Sequence, residues 1–332
     1  MDIKKVLEFY PLRISITDFC NLHCFFCSNE GMDSSQKNSR NIEVEQLEYL
    51  VDALHKSGLK NISITGGEPT AHPKIKKILK FLNKYKFNNF FFHTNGINLS
   101  KEITNLLSIG CNKIAVSLHA VDFETWHRLT GGRIAEFRKL MKNLEYLAYV
   151  KKNVNKKLTI EIKLVPIGGV NDSKQQIKSF LDFCSENNFK FKVLNFEPIS
   201  KEQLKFSIPY KKIIGLFVGC GCKEAPMEKG FRGQAKYLPT KKYFYKKTYG
   251  VIIEIGCGSK KACRECHLSN EVFVDPAFNI KPCHVSEKTI ALAEFIKSKE
   301  IGKIEEALVE SRMFLKEAPG LGAETWNDDL SI

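Results

Sequence analysis

Cys20, Cys24 and Cys27 are the residues best spaced for chemistry, because they put three thiols into one short loop, CNLHCFFC, straight after an apolar stretch. Three thiolates at the spacing CxxxCxxC can cap three corners of a cubane [4Fe-4S] cluster, whereas four are needed to close one. One iron is then left open. A metal centre with a vacant position can bind and activate a ligand, while one with a complete protein shell mainly supports the fold. Cys257, Cys263, Cys266 and Cys283 form a second group late in the chain, and Cys220 and Cys222 form a CxC pair before it. A CxxC with further cysteines nearby fits either an iron–sulfur cluster or four-coordinate zinc.

Three thiols can be held on one cluster only if the elements around their loop are rigid. Residues 12–17 alternate apolar and polar side chains and predict a strand that ends at the cysteine loop. Residues 42–57 predict an amphipathic helix with Leu47, Leu50, Val51 and Leu54 on one face, and residues 61–65 predict a second strand leading into Gly66-Gly67-Glu68-Pro69. Adjacent glycines let the backbone approach a ligand closely, and Glu68 offers an acceptor for an ammonium group. Further strands are predicted over 90–93, 114–118, 158–165 and 191–196, separated by helices over 73–85, 101–108, 134–149 and 172–186. Asp172, with Gln175 three residues on, can cap the last of these helices. Six strands in βα alternation imply parallel pairing with the helices outside. Chemistry in such barrels collects at the C-terminal ends of the strands. Glu161 and Lys163, two apart on one strand, share a face. A charged pair facing a barrel interior is costly without a role, which makes Lys163 a candidate for holding a substrate phosphate or carboxylate. Cys111 and Cys184 fall where core thiols are expected, and His23, between two of the loop cysteines, reads as a solvent-facing loop residue.

The triple-cysteine loop after strand one and GGEP after strand two are marks of the radical S-adenosylmethionine (SAM) enzymes. From about residue 12 to about residue 319 the chain resembles that superfamily, and most resembles its GTP 3′,8-cyclase branch of molybdenum-cofactor synthesis. The resemblance implies an α/β fold: a partial (βα)6 TIM-type barrel over residues 1–200 and a cysteine-rich extension over 201–332. It implies that SAM chelates the open iron through its amino and carboxylate groups. An electron from the cluster then breaks the sulfonium bond, and a 5′-deoxyadenosyl radical abstracts hydrogen from the substrate.

Residue by residue, the resemblance places Phe26 against adenine, gives Gly66, Gly67 and Glu68 the amino group of SAM, and puts Thr94, Asn95 and Ser117 near its methionine and ribose. Where the cyclase branch has Asp after Ser-Leu, this chain has His119, so an imidazole stands in place of a fixed anion. Cys263, Cys266 and Cys283 match a second [4Fe-4S] site that binds the substrate base through a free iron. Cys257 as a fourth ligand would close that cluster, and a zinc ribbon is the alternative for the whole region. Arg13 matches one guanidinium of the branch. Leu194, Leu268 and Asn270 stand where others are expected, and the Gly-Gly tail of the branch is absent. Leu and Asn do not replace bidentate guanidinium contacts to a triphosphate. The resemblance therefore implies the radical machinery with altered substrate recognition: GTP is the first candidate, and another nucleoside, nucleotide or peptide is its rival. A reducing partner such as a flavodoxin or ferredoxin is implied as well.

With 332 residues, 43% of them hydrophobic, the chain can bury one large core and a smaller appendage. It has no apolar run long enough to span a bilayer, and Asp2, Lys4, Lys5 and Glu8 occupy the place of a secretory apolar segment, so a soluble cytoplasmic protein without a membrane partner is expected. Eleven cysteines, two sets of them clustered at metal-ligand spacing, then read as metal binding rather than a disulfide framework. The net charge of +14 favours anionic partners, although a general lysine bias explains most of it. Only residues 241–247 interleave basic and aromatic side chains as a nucleic-acid surface would. The rival from another class is a zinc-stabilised nucleic-acid-binding protein. Two cubanes predict a brown protein with roughly eight irons and eight sulfides per chain. A colourless protein containing zinc alone would contradict this expectation.

Overall fold

The computed structural model describes residues 2–27, 39–198, 200–227, 240–254, 271–282 and 288–317. Helix α1 (Ile3–Phe9) leads into strand β1 (Leu12–Ser15). There follow α2 (Val44–Lys56), β2 (Asn61–Thr65), α3 (Ile75–Leu82), β3 (Asn89–Thr94), α4 (Lys101–Gly110), β4 (Lys113–Ser117), α5 (Phe123–Thr130), α6 (Ile134–Asn153), β5 (Thr159–Leu164), α7 (Lys174–Glu186) and β6 (Lys190–Leu194). Strands β1 to β6 pair in parallel and in sequence order, the expected α/β arrangement. Period-two patterning explains the two faces of the sheet. Ile62, Ile64, Phe90, Phe92, Ile160 and Ile162 are buried in the core. The alternate positions carry Ser63, His93, Glu161 and Lys163; across strands His93 meets both Ser63 and Lys163, and Glu161 meets Lys113.

Beyond β6 come α8 (Tyr210–Gly219), β7 (Lys223–Ala225), β8 (Thr240–Tyr245), β9 (Thr248–Ile253), β10 (Val272–Val274), β11 (Asn279–Lys281), β12 (Ile290–Ala291), α9 (Ala293–Lys297) and α10 (Ile301–Glu317). Two of these strands extend the parallel wall: β9 adds to β6, and β10 adds to β1 on the opposite side. The remaining strands pair antiparallel outside them, and the sheet runs β12-β11-β10-β1-β2-β3-β4-β5-β6-β9-β8-β7 with its two ends apart. This is an open, partial barrel.

Three local departures have physical causes. Ser173, not Asp172, caps α7, because Asp172 Oδ1 accepts the Gly169 N–H in the preceding loop while the Ser173 hydroxyl accepts the Gln176 N–H at 3.2 Å. Helix α6 runs four residues past its expected end, to Asn153, because its buried stripe of Leu140, Leu144, Leu147 and Val150 continues. Helix α5 was not expected at all. Cys111 and Cys184 are core thiols as expected, and no helix among the described residues is long and apolar enough to cross a membrane. Phe90, fully buried in the middle of the sheet, gives a test of this core. Phe90→Ala should destabilise the protein by about 3 to 5 kcal/mol, read as a lower urea midpoint. An unchanged midpoint would place that side chain outside the core.

Candidate active site at the barrel mouth

The cysteine loop leaves the end of β1 and is clamped on two sides. On one side, the Gly67 and Glu68 N–H groups donate to the carbonyls of Thr17 and Phe19, both at 2.7 Å. A Cβ on Gly66 would lie 2.4 Å from the Thr17 carbonyl oxygen, and one on Gly67 would lie 2.4 Å from that of Phe19. The two glycines are thus required by the approach of one backbone to another, a use that the sequence pattern alone does not distinguish from approach to a ligand.

Glu68 is 1% exposed, and its carboxylate ties three segments together. Oε1 accepts the N–H and hydroxyl of Thr70 and, at 2.7 Å, the Thr94 hydroxyl; Oε2 accepts the Asn95 N–H at 2.6 Å. Burial raises its pKa and these donors oppose the rise. Each carboxylate oxygen has roughly two lone-pair directions. Oε1 is shared by three donors, while Oε2 carries one and can take a further donor. Asn95 carries the link onward, since its Nδ2 donates to Asn21 Oδ1 at 2.8 Å and lies 4.0 Å from Cys20 Sγ.

On the other side stands α5, which the sequence reading missed. Its last carbonyls, those of Leu129 and Thr130, accept the N–H groups of Phe25 and His23 at 3.3 and 3.0 Å. Carbonyls at a helix C-terminus lack intrahelical partners, so they are available for this. Gly131 ends the helix at φ +68°, where glycine is favoured. Asp122 capping Thr125, with Gly131 and Gly132 following the eight-residue helix, is the signal that could have revealed it. Gln203 Nε2 donates to the Phe25 carbonyl at 2.8 Å and completes the clamp.

Within the loop, Cys20 and Cys24 are half-buried and Cys27 is exposed, as is His23. Burial pushes the Cys20 thiol up to about 12 and the Cys24 thiol higher still. Negative charge on Cys27 raises both further, so the three sulfurs lie close enough to repel one another once ionised. No three His, Cys, Asp or Glu side chains among the described residues converge tightly enough for a single metal ion. Three thiols in one loop make an all-sulfur donor set of the kind iron–sulfur clusters take. The positive charge of a bound cluster would stabilise the thiolates that burial disfavours.

The other expected residues gather around this loop. Thr94 and Ser117 end β3 and β4, and Asn95 follows β3 directly. His119 lies just beyond β4, with its ring centroid 4.8 Å from that of Phe26. Inside the barrel, Lys163 Nζ is 2.6 Å from His93 Nδ1, and His93 Nε2 is 2.9 Å from the Ser63 hydroxyl. Burial, reinforced by Lys163, Arg13, Lys192 and Lys113, holds His93 well below the ordinary imidazole range, so it is neutral. Lys113 reaches Glu161 at 3.4 Å, and Arg13 pairs with Glu271 at 2.9 Å across the β1–β10 seam. Arg13, expected at the substrate, is thus engaged by a carboxylate. Among the described residues, Arg13, Lys113, Lys163 and Lys192 face two carboxylates here, Glu161 and Glu271, although burial lowers the Lys192 pKa.

Sequence reasoning missed His93, Lys192 and the buried Asn171. Alternation with Phe90 and Phe92 would have placed His93 on the inner face. Cys257, Cys263, Cys266 and Cys283 lie outside the described residues, as do Leu268 and Asn270. The loop clamp is open to a direct test. Gly67→Ala should remove the first cluster's share of the iron–sulfur absorbance gained on anaerobic reconstitution, about half with two cubanes present, whereas Gly302→Ala, whose Cβ meets nothing within 4 Å, should leave it unchanged. Equal absorbance in both variants would remove the glycine argument.

A family model described as the radical SAM superfamily matches residues 14–184. Proteins named probable GTP 3′,8-cyclase are similar in sequence. The one from Thermoplasma volcanium is 29% identical over 203 residues, covering 60% of this chain and 59% of that protein. The one from Archaeoglobus fulgidus is 32% identical over 178 residues, 53% of this chain and 55% of that one. The match thus spans little more than half the length of these relatives. Among solved structures, Streptococcus suis SuiB bound to precursor peptide SuiA superposes with a TM-score of 0.63 at 19% identity, covering 88% of this chain and 64% of that one. The structure named anSMEcpe with bound AdoMet and Kp18Cys peptide gives 0.60 at 16% identity, covering 93% and 84%. At such identities these two speak for the fold alone. The open parallel barrel, the three-cysteine loop at its mouth and the match over more than half the chain lead to one conclusion: the protein is an enzyme of the radical SAM superfamily, whose cofactors are a [4Fe-4S] cluster and SAM.

Proposed function

We propose that Cys20, Cys24 and Cys27 hold the catalytic cluster and that the chain abstracts hydrogen from an anionic, phosphorylated nucleotide, with GTP the first candidate. The observation that carries this reading is the clamped three-cysteine loop standing over a cationic barrel interior. When bound, the cluster and SAM supply a one-electron cleavage of the sulfonium and hence a carbon radical able to take a hydrogen atom. The chain's own residues do the rest. Gly66 to Glu68 and Asn95 fix the loop and leave a Glu68 Oε2 lone pair for the SAM ammonium. Phe26 and His119 form an aromatic wall for the adenosyl group, and Thr94 and Ser117 flank it. Lys163, held against neutral His93, meets the substrate's anionic group as a point charge.

The sequence similarity to proteins named probable GTP 3′,8-cyclase supports GTP, while Leu268 and Asn270 argue for a changed hold on the triphosphate. In this reading Cys263, Cys266 and Cys283 hold an auxiliary cluster that Cys257 can close, and a low-potential flavodoxin or ferredoxin supplies the electron.

Anaerobically reconstituted protein with a reductant, SAM and GTP should form 5′-deoxyadenosine together with a cyclised pterin precursor, detected by mass spectrometry. Cys24→Ala should abolish both. Full SAM cleavage by Cys24→Ala would overturn the assignment of the cluster. Cleavage by the unaltered protein with no pterin precursor would reject GTP and turn attention to other nucleotides.

A further inference from the structure

The sheet face that lines the barrel interior continues beyond β6. Lys190 and Lys192 share that face with Glu161 and Lys163, their register partners on β5. Farther out, Tyr249 on β9 stands beside Phe244 on β8, and Phe244 beside Lys223 on β7. The alternation of basic and aromatic residues over 241–247 is thereby sorted. Lys242 and Phe244 lie on the inner face, whereas Tyr245 turns outward to donate its hydroxyl to Asp182 of α7 at 2.7 Å, and Lys241 pairs with Glu224 at 3.0 Å. On the inner face, the ammonium groups of Lys190 and Lys242 each lie 4.7 Å from the centroid of the Tyr249 ring, and that ring meets Phe244 at 5.8 Å and 62°. A ring steadies an ammonium group without cancelling its charge. Glu161, the carboxylate beside Lys190, is engaged by Lys113 at 3.4 Å, and among the described residues neither Lys190 nor Lys223 forms an ion pair. Phe244 is 48% exposed.

We propose that the inner face of β6, β9, β8 and β7 binds a segment of single-stranded nucleic acid, with a base stacked on Phe244 and phosphates on Lys190, Lys223 and Lys242. Tyr249 is a positioning residue that holds two of these ammonium groups beside the exposed ring. A general lysine bias accounts for charge on a surface, but it does not account for a phenylalanine left half in water in the middle of a strand among lysines. An acidic protein partner would pair with the ammonium groups and leave that ring unused, whereas a nucleotide chain offers anions and flat apolar faces in alternation. The surface goes beyond the reading of the cysteine loop given above. It is a second binding site, and it stands whatever the reaction at the barrel mouth consumes.

The test is fluorescence anisotropy of a labelled single strand of about twelve nucleotides and mixed sequence, titrated with the reconstituted protein at several salt concentrations. Three phosphate contacts predict that log affinity falls against log salt with a slope of about −2, and Lys190→Gln should bring that slope to about −1.4. Phe244→Ala should weaken binding about tenfold with the slope unchanged, while Phe244→Tyr, which keeps a ring, should stay within about threefold of the unaltered protein. Lys241→Gln, on the opposite face of the same strand, should bind like the unaltered protein. Unchanged affinity in Phe244→Ala would overturn the proposal, and so would a loss in Lys241→Gln equal to that in Lys190→Gln. Displacement of the strand by polyglutamate at equal charge would overturn it too, assigning the surface to an acidic protein. No binding by the unaltered protein at low salt would reject the site outright. Each readout is binding alone, so these outcomes are distinct from any failure of the cluster assignment or of GTP as substrate.

Discussion

The buried carboxylate of Glu68 is the constraint on which the rest of the site depends. Four donors from Thr70, Thr94 and Asn95 converge on it, and its own N–H reaches the cysteine loop at Phe19. A fully desolvated carboxylate is costly unless every partner is in place, and that cost enforces the geometry. The ends of β1, β2 and β3 are thereby fixed relative to one another before any cofactor arrives. A loop of three thiols gains nothing from hydrophobic burial of its sulfurs as anions, so its shape has to come from such neighbours.

The same logic runs through the interior. Among the described residues, cations on β1, β4, β5 and β6 outnumber the carboxylates beside them, and the imidazoles nearest them, His93 and His119, are both held neutral by burial and by the lysines. A neutral imidazole can accept from one side and donate from the other without adding to the positive field. His93 does this between Lys163 and Ser63. The result is a wall whose positive charge sits on ammonium groups that attract an anion, while the rings beside them supply direction. Low dielectric surroundings make each of these contacts count for more than it would in water.

Much of this was legible in the sequence because it rests on local rules. Period-two alternation located β2 at residues 61–65 without error, and the spacing of Cys20, Cys24 and Cys27 announced a cluster loop before any fold was known. Helix α5 escaped because eight residues carrying Trp126 and two threonines give a weak periodic signal, although its cap and its glycines were present. The pairings of strands β9 and β10, which extend the parallel wall on either side, escaped for a different reason. These strands pair with β6 and β1 from far along the chain, and no local pattern reports such a partner. The same holds for Arg13: its type was legible, but its pairing with Glu271, 258 residues away, was not. The glycines of GGEP were read as room for a ligand, and the structure assigns that room to the cysteine loop's own backbone.

The central claim is that the three-cysteine loop leaves one iron corner open for SAM. Electron paramagnetic resonance of the reduced protein, in a variant with Cys263 and Cys266 replaced by alanine so that the first site alone is observed, tests it most directly. The account predicts that SAM shifts the cluster spectrum, and that isotopic labelling of its amino nitrogen adds a hyperfine coupling to the cluster. A spectrum untouched by SAM, from a cluster already closed by a fourth protein ligand, would contradict it.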